Sequence, residues 1–390
     1  MSGAIASRGD QQVVAGLDGV LACESAITLV DGDNGELFFR GYDVRDFAEQ
    51  ADYLAVVQLL WSGRWPSPAE HAAFDQQVRS RRGLPPEVLR LIPMQSANPM
   101  AVLRTAVSLL GVLDPLGDVT GPAAVVSQAT TLLARMPTLV AALGRDRRGL
   151  PTIAPDPELG HAANYLYMLR GTRPTADEAA GLNTLMTLHA EHELNASTFT
   201  ARIVVGTLSD YYSAMTAALG ALKGPRHGGA IDAVLPLLRD IGSPEAVPAY
   251  VDRALAERRR LPGFGHRVYR EHDPRAPLQA AVAQRVGADT QEPMLFEIAR
   301  SLEAELFTRK RLPANVDYYA AVALGYLGFP PDLLTSFIAS SRIAGWTAHV
   351  LEQTADNRLI RPRALYRGPR RRPCPPPATL KEHHHNDHYR

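Results

Sequence analysis

LLTSFIASSRIAGWTAHVL, residues 333–351, is small or apolar at most positions and on most faces of the helix it would form. A helix with a single apolar stripe lies on a surface, whereas one apolar nearly all round has to be enclosed by other elements. Residues 101–113, 123–143, 179–188 and 214–222 are Ala/Leu/Val-rich in the same way. Several such helices cannot all be peripheral, and together they predict an all-α, multilayer core. Start signals support this: Ser67-Pro68, Asn98-Pro99, Ser243-Pro244 and Thr175-Ala-Asp-Glu178 each place a capping side chain before a helix-compatible run. One early stretch departs from the pattern. Residues 16–40 set short apolar runs around Asp31-Gly-Asp-Asn-Gly35, a turn cluster that predicts a small N-terminal β-meander. No period of 20–50 residues recurs, which excludes a solenoid.

Composition narrows the functional classes. With 390 residues the chain exceeds one simple core, and 46% hydrophobic against 21% charged residues is ordinary for a soluble globular enzyme. Lys plus Arg equals Asp plus Glu at 41 each, so no net field favours nucleic acid or an anionic membrane, and any polyanion must be recognised locally. Cys23 and Cys374 stand far apart without a CxxC pair, which argues against a disulfide framework or a zinc cage and fits a reducing cytoplasm. The N-terminus carries no apolar secretory core, and no run approaches a membrane span. Past Tyr366 the chain turns to Arg-Gly-Pro-Arg-Arg-Arg-Pro-Cys-Pro-Pro-Pro and then His383-His-His-Asn-Asp-His388; residues 367–390 are expected to form a disordered tail.

Chemistry concentrates in four segments. His189-Ala-Glu-His192 puts two histidines three apart on a helix face; metalloprotease helices need i, i+4 or H-x-x-E-H, and H-x-E-H falls one residue short, so no metal is expected. Gly224-Pro-Arg-His227-Gly-Gly sets a histidine among helix breakers. In Gly263-Phe-Gly265-His266-Arg-Val-Tyr-Arg270-Glu-His-Asp-Pro-Arg275 the glycines allow close backbone approach to a ligand and the arginines suit carboxylate or phosphate. Asn315-Val-Asp317 opens an apolar helix, where an aspartate is ordinarily a helix-start carboxylate stabilised by the macrodipole.

In this order the four motifs resemble those of the citrate synthase family, over residues 16–366. The resemblance implies a two-domain helical fold: a large domain of 1–228 completed by 329–390, and a small domain, 229–328, inserted between them. It implies that acetyl-CoA and oxaloacetate are substrates, with no cofactor, in a homodimer. His192 would contact the keto-dicarboxylate, with His189 structural. His227 would donate a hydrogen bond to the thioester carbonyl, His266 would protonate the keto oxygen, and Asp317 would be the base. Arg275, Arg342 and Arg361 would bind the substrate carboxylates, Arg361 from the neighbouring subunit. Arg270 would meet a CoA phosphate beside Gly263 and Gly265. One departure stands out: Ala230-Ile231-Asp232 replaces the family's usual Ala-Asn-Glu, which bears on the local helix start and its hydrogen bonds. Propionyl-CoA as the acyl donor, a 2-methylcitrate synthase, remains open because one methylene is poorly discriminated. Outside the family, a helical metal-dependent hydrolase and an inactive helical scaffold are the alternatives.

Overall fold

The structure is a computed structural model that describes residues 13–17, 19–93, 97–265, 268–269, 272–288, 290, 292–369 and 371–373. The chain divides into two compact units, Ser25–Ile360 and a terminal unit of Met1–Glu24 with Arg361–Arg390. In the terminal unit, Tyr366 Oη donates to Pro369 O at 2.9 Å. The histidine-rich stretch and Cys374 lie outside the described residues.

The Ser25–Ile360 unit begins with the expected meander. β1 (Thr28–Asp31), β2 (Glu36–Phe39) and β3 (Tyr42–Asp43) form an antiparallel sheet in the order β1-β2-β3, with Thr28 opposite Phe39 and Asp31 opposite Glu36. The Asp31 carboxylate holds the turn by accepting from Asp33 N and Asn34 N, the local role for which aspartate is favoured in turns. Helices dominate everything later, so the all-α reading with a small meander is correct.

The helix starts also follow the sequence. Ser67 with Glu70 and Thr175 with Glu178 form reciprocal capping boxes, and Asn98 caps Pro99–Leu113. Ser243 is different. No side-chain cap forms there, and Pro244–Ala246 is only a 3-10 turn before the helix Val247–Ala256.

The quoted stretch forms the central helix, Leu334–Ala355. Every residue from Leu334 to Val350 is buried. It packs on Pro122–Asp146, Ala196–Gly206, Tyr211–Leu222 and the helix Tyr53–Ser62, which encloses its apolar faces. Its polar residues need partners at that depth. Thr335 Oγ1 donates to Gly228 O (3.0 Å), Thr347 Oγ1 pairs with Tyr211 Oη (2.8 Å), and Trp346 Nε1 donates to Ser197 Oγ (3.1 Å). Gly345 has a steric reason: a Cβ there would stand 2.0 Å from Glu191 Oε2 and 2.5 Å from Ala190 O. No described helix is long and apolar enough to cross a membrane.

Candidate active site

The site is built where the central helix meets three segment ends. The first is the turn that closes helix Ala176–His189. His189 is buried, and its Nδ1 donates to Leu185 O at 2.8 Å, which leaves Nε2 as a bare acceptor with no partner among the described residues. Burial pushes its pKa down to about 3, so the ring is neutral. Three residues on, His192 stacks edge-to-face on Tyr269, with centroids 5.7 Å apart.

The second segment carries His227. Ser197 N donates to its Nε2 at 3.3 Å, and Ser197 Oγ lies 2.9 Å from the same nitrogen. A backbone N–H can only donate, so Nε2 is the acceptor and the ring hydrogen sits on Nδ1. Burial, with Arg342 nearby, lowers the His227 pKa to about 4. The result is a neutral imidazole with one N–H to offer. Ser197 is itself fixed by Asn195 Oδ1, which caps helix Ala196–Gly206, and by Trp346 of the central helix.

The third segment pairs two stretches about fifty residues apart. Gly265 N donates to Pro313 O, Asn315 N to Gly263 O, and Asn315 Nδ2 to Gly265 O, at 2.9–3.0 Å. Gly263 and Gly265 adopt φ of +86° and +74°, and a Cβ on Gly263 would come within 2.6 Å of the Tyr318 ring. These glycines therefore serve the backbone clamp whether or not a ligand approaches them. The clamp aims helix Val316–Tyr326 at the site, with Asn315 capping it and Asp317 in its first turn.

Asp317 does not behave as a stabilised helix-start carboxylate. Burial raises its pKa to about 7 against the opposing pull of Arg275 and Arg342; Asp273 pushes the same way as burial. Among the described residues no group hydrogen-bonds its carboxylate.

Two buried arginines complete the geometry, in different states. Arg275 is 1% exposed and clamped by Asp273 through Nε (2.9 Å) and Nη2 (2.8 Å). Burial alone would pull this guanidinium down, but Asp273 outweighs it and holds it above the usual arginine value. Asp273 also accepts from Val316 N at 3.1 Å, tying the Asp-Pro-Arg loop to the start of the Asp317 helix. Arg342 is 5% exposed, and its one hydrogen bond among the described residues runs from Nε to His189 O at 2.8 Å. Among the described residues no carboxylate pairs with it directly, and burial lowers its pKa to about 10. A buried cation with no paired carboxylate among the described residues suits an anion site, because one backbone carbonyl repays only part of its desolvation.

Asp317, Arg275, Arg342 and His227 thus share one electrostatic neighbourhood. Arg361 belongs to the terminal unit, where it is exposed. His266 and Arg270 lie outside the described residues. At the departure from the family motif, Ile231 is fully buried in the core, and Asp232, its pKa raised by burial to about 6, accepts from Thr335 N at 2.8 Å. The carboxylate therefore caps the start of the central helix. Sequence reasoning gave no site role to Ser197, Asp273, Glu191, Arg202 and His349. Three of them had a local signal: Ser197 as the second residue after an Asn helix cap, Asp273 two residues before Arg275, and Glu191 between the two histidines.

A family model described as citrate synthase, C-terminal domain, matches residues 16–363. The chain belongs to the citrate synthase family. That makes it an enzyme of the acyltransferase class that converts the acyl group to an alkyl group on transfer. It is 43% identical to citrate synthase 2 of Bacillus subtilis over 357 residues, 91% of this chain and 95% of that protein. It is 40% identical to a 2-methylcitrate synthase of Mycobacterium tuberculosis over 362 residues, 92% of each chain. Among solved structures, the Thermoplasma acidophilum citrate synthase in ternary complex with carboxymethyl coenzyme A and oxaloacetate superposes with a TM-score of 0.88, at 32% identity, covering 94% of this chain and 99% of that one.

Proposed function

We propose that the protein condenses acetyl-CoA with oxaloacetate and hydrolyses the resulting citryl-CoA to citrate and CoA, the entry step of the tricarboxylic acid cycle. One observation supports this above the others: a carboxyl with pKa near 7 lies in the same neighbourhood as a neutral N–H donor and a buried arginine that has no counter-ion.

The chemistry follows from those states. A thioester methyl is a very weak acid, so a base alone is insufficient. Asp317, ionised at neutral pH and above, takes the methyl proton while His227 Nδ1–H stabilises the oxygen of the forming enolate. Because His227 is neutral and its Nε2 accepts from Ser197 N, Nδ1–H is the one donor of the ring. The enol carbon attacks the keto carbon of oxaloacetate, and His266 gives the keto oxygen its proton. Arg275 and Arg342, joined by Arg361, bind the two carboxylates that would otherwise repel the base. Arg275 uses Nε and Nη2 on Asp273, leaving Nη1 for substrate, while Arg342 has both terminal nitrogens to offer. His192 contacts the same dicarboxylate. Arg270, beside Gly263 and Gly265, meets a CoA phosphate. Water then cleaves the thioester. No step calls for a metal or cofactor.

The same reading assigns 229–328 as a small domain that closes on 1–228 and 329–390, a homodimer in which Arg361 completes the partner's site, and a cytoplasmic location. Propionyl-CoA is the competing acyl donor, favoured by the similarity to a 2-methylcitrate synthase. A thiol-release assay in EDTA with oxaloacetate and either thioester tests the proposal. Release that is faster with acetyl-CoA is expected. A higher kcat/KM for propionyl-CoA would move the assignment to 2-methylcitrate synthase, and loss of turnover in EDTA that zinc restores would refute the metal-free chemistry.

A further inference from the structure

Beneath Arg342 lies a row of buried groups that the chemistry above does not use. Three consecutive residues at the C-terminal end of helix Ala176–His189, its last residue and the two that follow, are each bonded to the central helix. Arg342 Nε donates to His189 O (2.8 Å), Gly345 N to Ala190 O (3.0 Å), and His349 Nε2 to Glu191 Oε1 (3.1 Å). Spacings of three and four put Arg342, Gly345 and His349 on one helix face, so the contacts form a ladder of three rungs.

The far rung is itself anchored. Arg202 Nη1 donates to His349 Nδ1 at 2.9 Å, which requires Nδ1 to be the acceptor and places the ring hydrogen on Nε2, facing Glu191. Arg202 is held in turn by Gln353 Oε1 (3.0 Å) and Glu352 Oε2 (2.7 Å). Glu191 and His349 are fully buried and Arg202 is 3% exposed. The second Glu191 oxygen has no partner among the described residues, and only the missing side chain of Gly345 makes room for it. One hydrogen bond, from His349, therefore keeps this carboxylate where it is.

We propose that His349 is a positioning residue for the dicarboxylate: by bridging Arg202 to Glu191 it keeps the Glu191 carboxylate off Arg342 and holds His192 and Arg342 in register. The proposal rests on the citrate synthase reading, which makes those two residues substrate ligands. Glu191 is the anion that acts most strongly on Arg342. Without His349 it would be a buried carboxylate with no donor, and of the two further cations that feel its charge, Arg40 and Arg342, the second is the one the substrate needs. The consequence falls on oxaloacetate binding and spares the proton transfer at Asp317.

The test compares two amides. In His349→Asn the side chain can still accept from Arg202 but is too short to reach Glu191. In His349→Gln one amide can do both, because its oxygen and nitrogen are spaced like the two ring nitrogens. His349→Asn is expected to raise KM for oxaloacetate about tenfold or more, with kcat within about threefold and KM for the acyl-CoA unchanged; His349→Gln is expected to restore most of it. KM does not depend on the fraction of enzyme folded, so a loss of folded protein alone would lower apparent kcat and leave KM in place. An unchanged oxaloacetate KM in His349→Asn, or no recovery in His349→Gln, overturns the proposal. If the wild-type enzyme itself releases no thiol with oxaloacetate, the citrate synthase reading has failed and this one falls with it.

Discussion

Replacing Arg342 by Met should leave the protein as stable as before and abolish its grip on oxaloacetate. Burial pulls this guanidinium down to about 10, and at ~1.4 kcal/mol per pH unit below an ordinary arginine, holding it charged costs about 3 kcal/mol. Methionine of similar length removes that cost. It also removes the hydrogen bond to His189 O, a charge-assisted bond whose loss costs roughly 1.5–3 kcal/mol. The two nearly cancel, so the thermal midpoint of Arg342→Met should be equal to or slightly above wild type. Binding should not survive the change. Losing one side of a buried charge pair costs about 2–5 kcal/mol, which is a rise in oxaloacetate Kd of between about thirtyfold and a few thousandfold. Differential scanning with and without oxaloacetate reads both quantities. Wild type should gain a ligand-dependent rise in midpoint that the variant lacks. A variant less stable by more than about 2 kcal/mol, or one that keeps the ligand-dependent rise, would show that Arg342 is a structural arginine and that the anion-site argument is wrong.

The raised Asp317 pKa of about 7 predicts that kcat/KM rises about tenfold per pH unit up to roughly pH 7 and then levels off, since only the ionised carboxylate is a base. The same group binds a proton in the folded state that the unfolded chain has already lost, so its stability contribution is present below about pH 4 and falls as pH rises through 7. Asp317→Asn should accordingly be the more stable protein at pH 8, with the difference shrinking towards pH 4 in parallel denaturation curves. If Arg361 serves the partner's site, co-refolding inactive Asp317→Ala and Arg361→Ala proteins should restore roughly a quarter of wild-type activity, because half the dimers are mixed and each of those holds one intact site. No recovery with mixed dimers present would place Arg361 in its own chain's site.

The fold was legible because its evidence is local. An apolar-all-round run such as 333–351 announces an enclosed helix, and Ser67-Pro-Ala-Glu70 contains both halves of its own capping box. At Ser243-Pro244 the same kind of start signal produced only a 3-10 turn without a side-chain cap. The candidate site was legible as residue types and not as states. The Arg275 clamp is local, since Asp273 stands two residues before it, but nothing local tells that Arg342 has no counter-ion among the described residues, because that depends on which carboxylates the fold brings close. Asp317 shows the limit most plainly: its position at a helix start argues for a lowered pKa, and burial, which no local pattern reveals, wins. The His349 ladder lay further out of reach. Arg202 and His349 are 147 residues apart, and Glu191 and His349 158, so their pairing exists only in three dimensions.

Solvent-deuterium exchange into the methyl of a non-cleavable acetyl-CoA analogue, with a dicarboxylate bound, isolates the enolisation on which the whole account depends. The account predicts ready exchange in the wild-type enzyme, rising with pH through about 7 as Asp317 ionises, and its loss in Asp317→Ala. Exchange that continues at the wild-type rate in Asp317→Ala would contradict the account, because some other group would then be removing the proton.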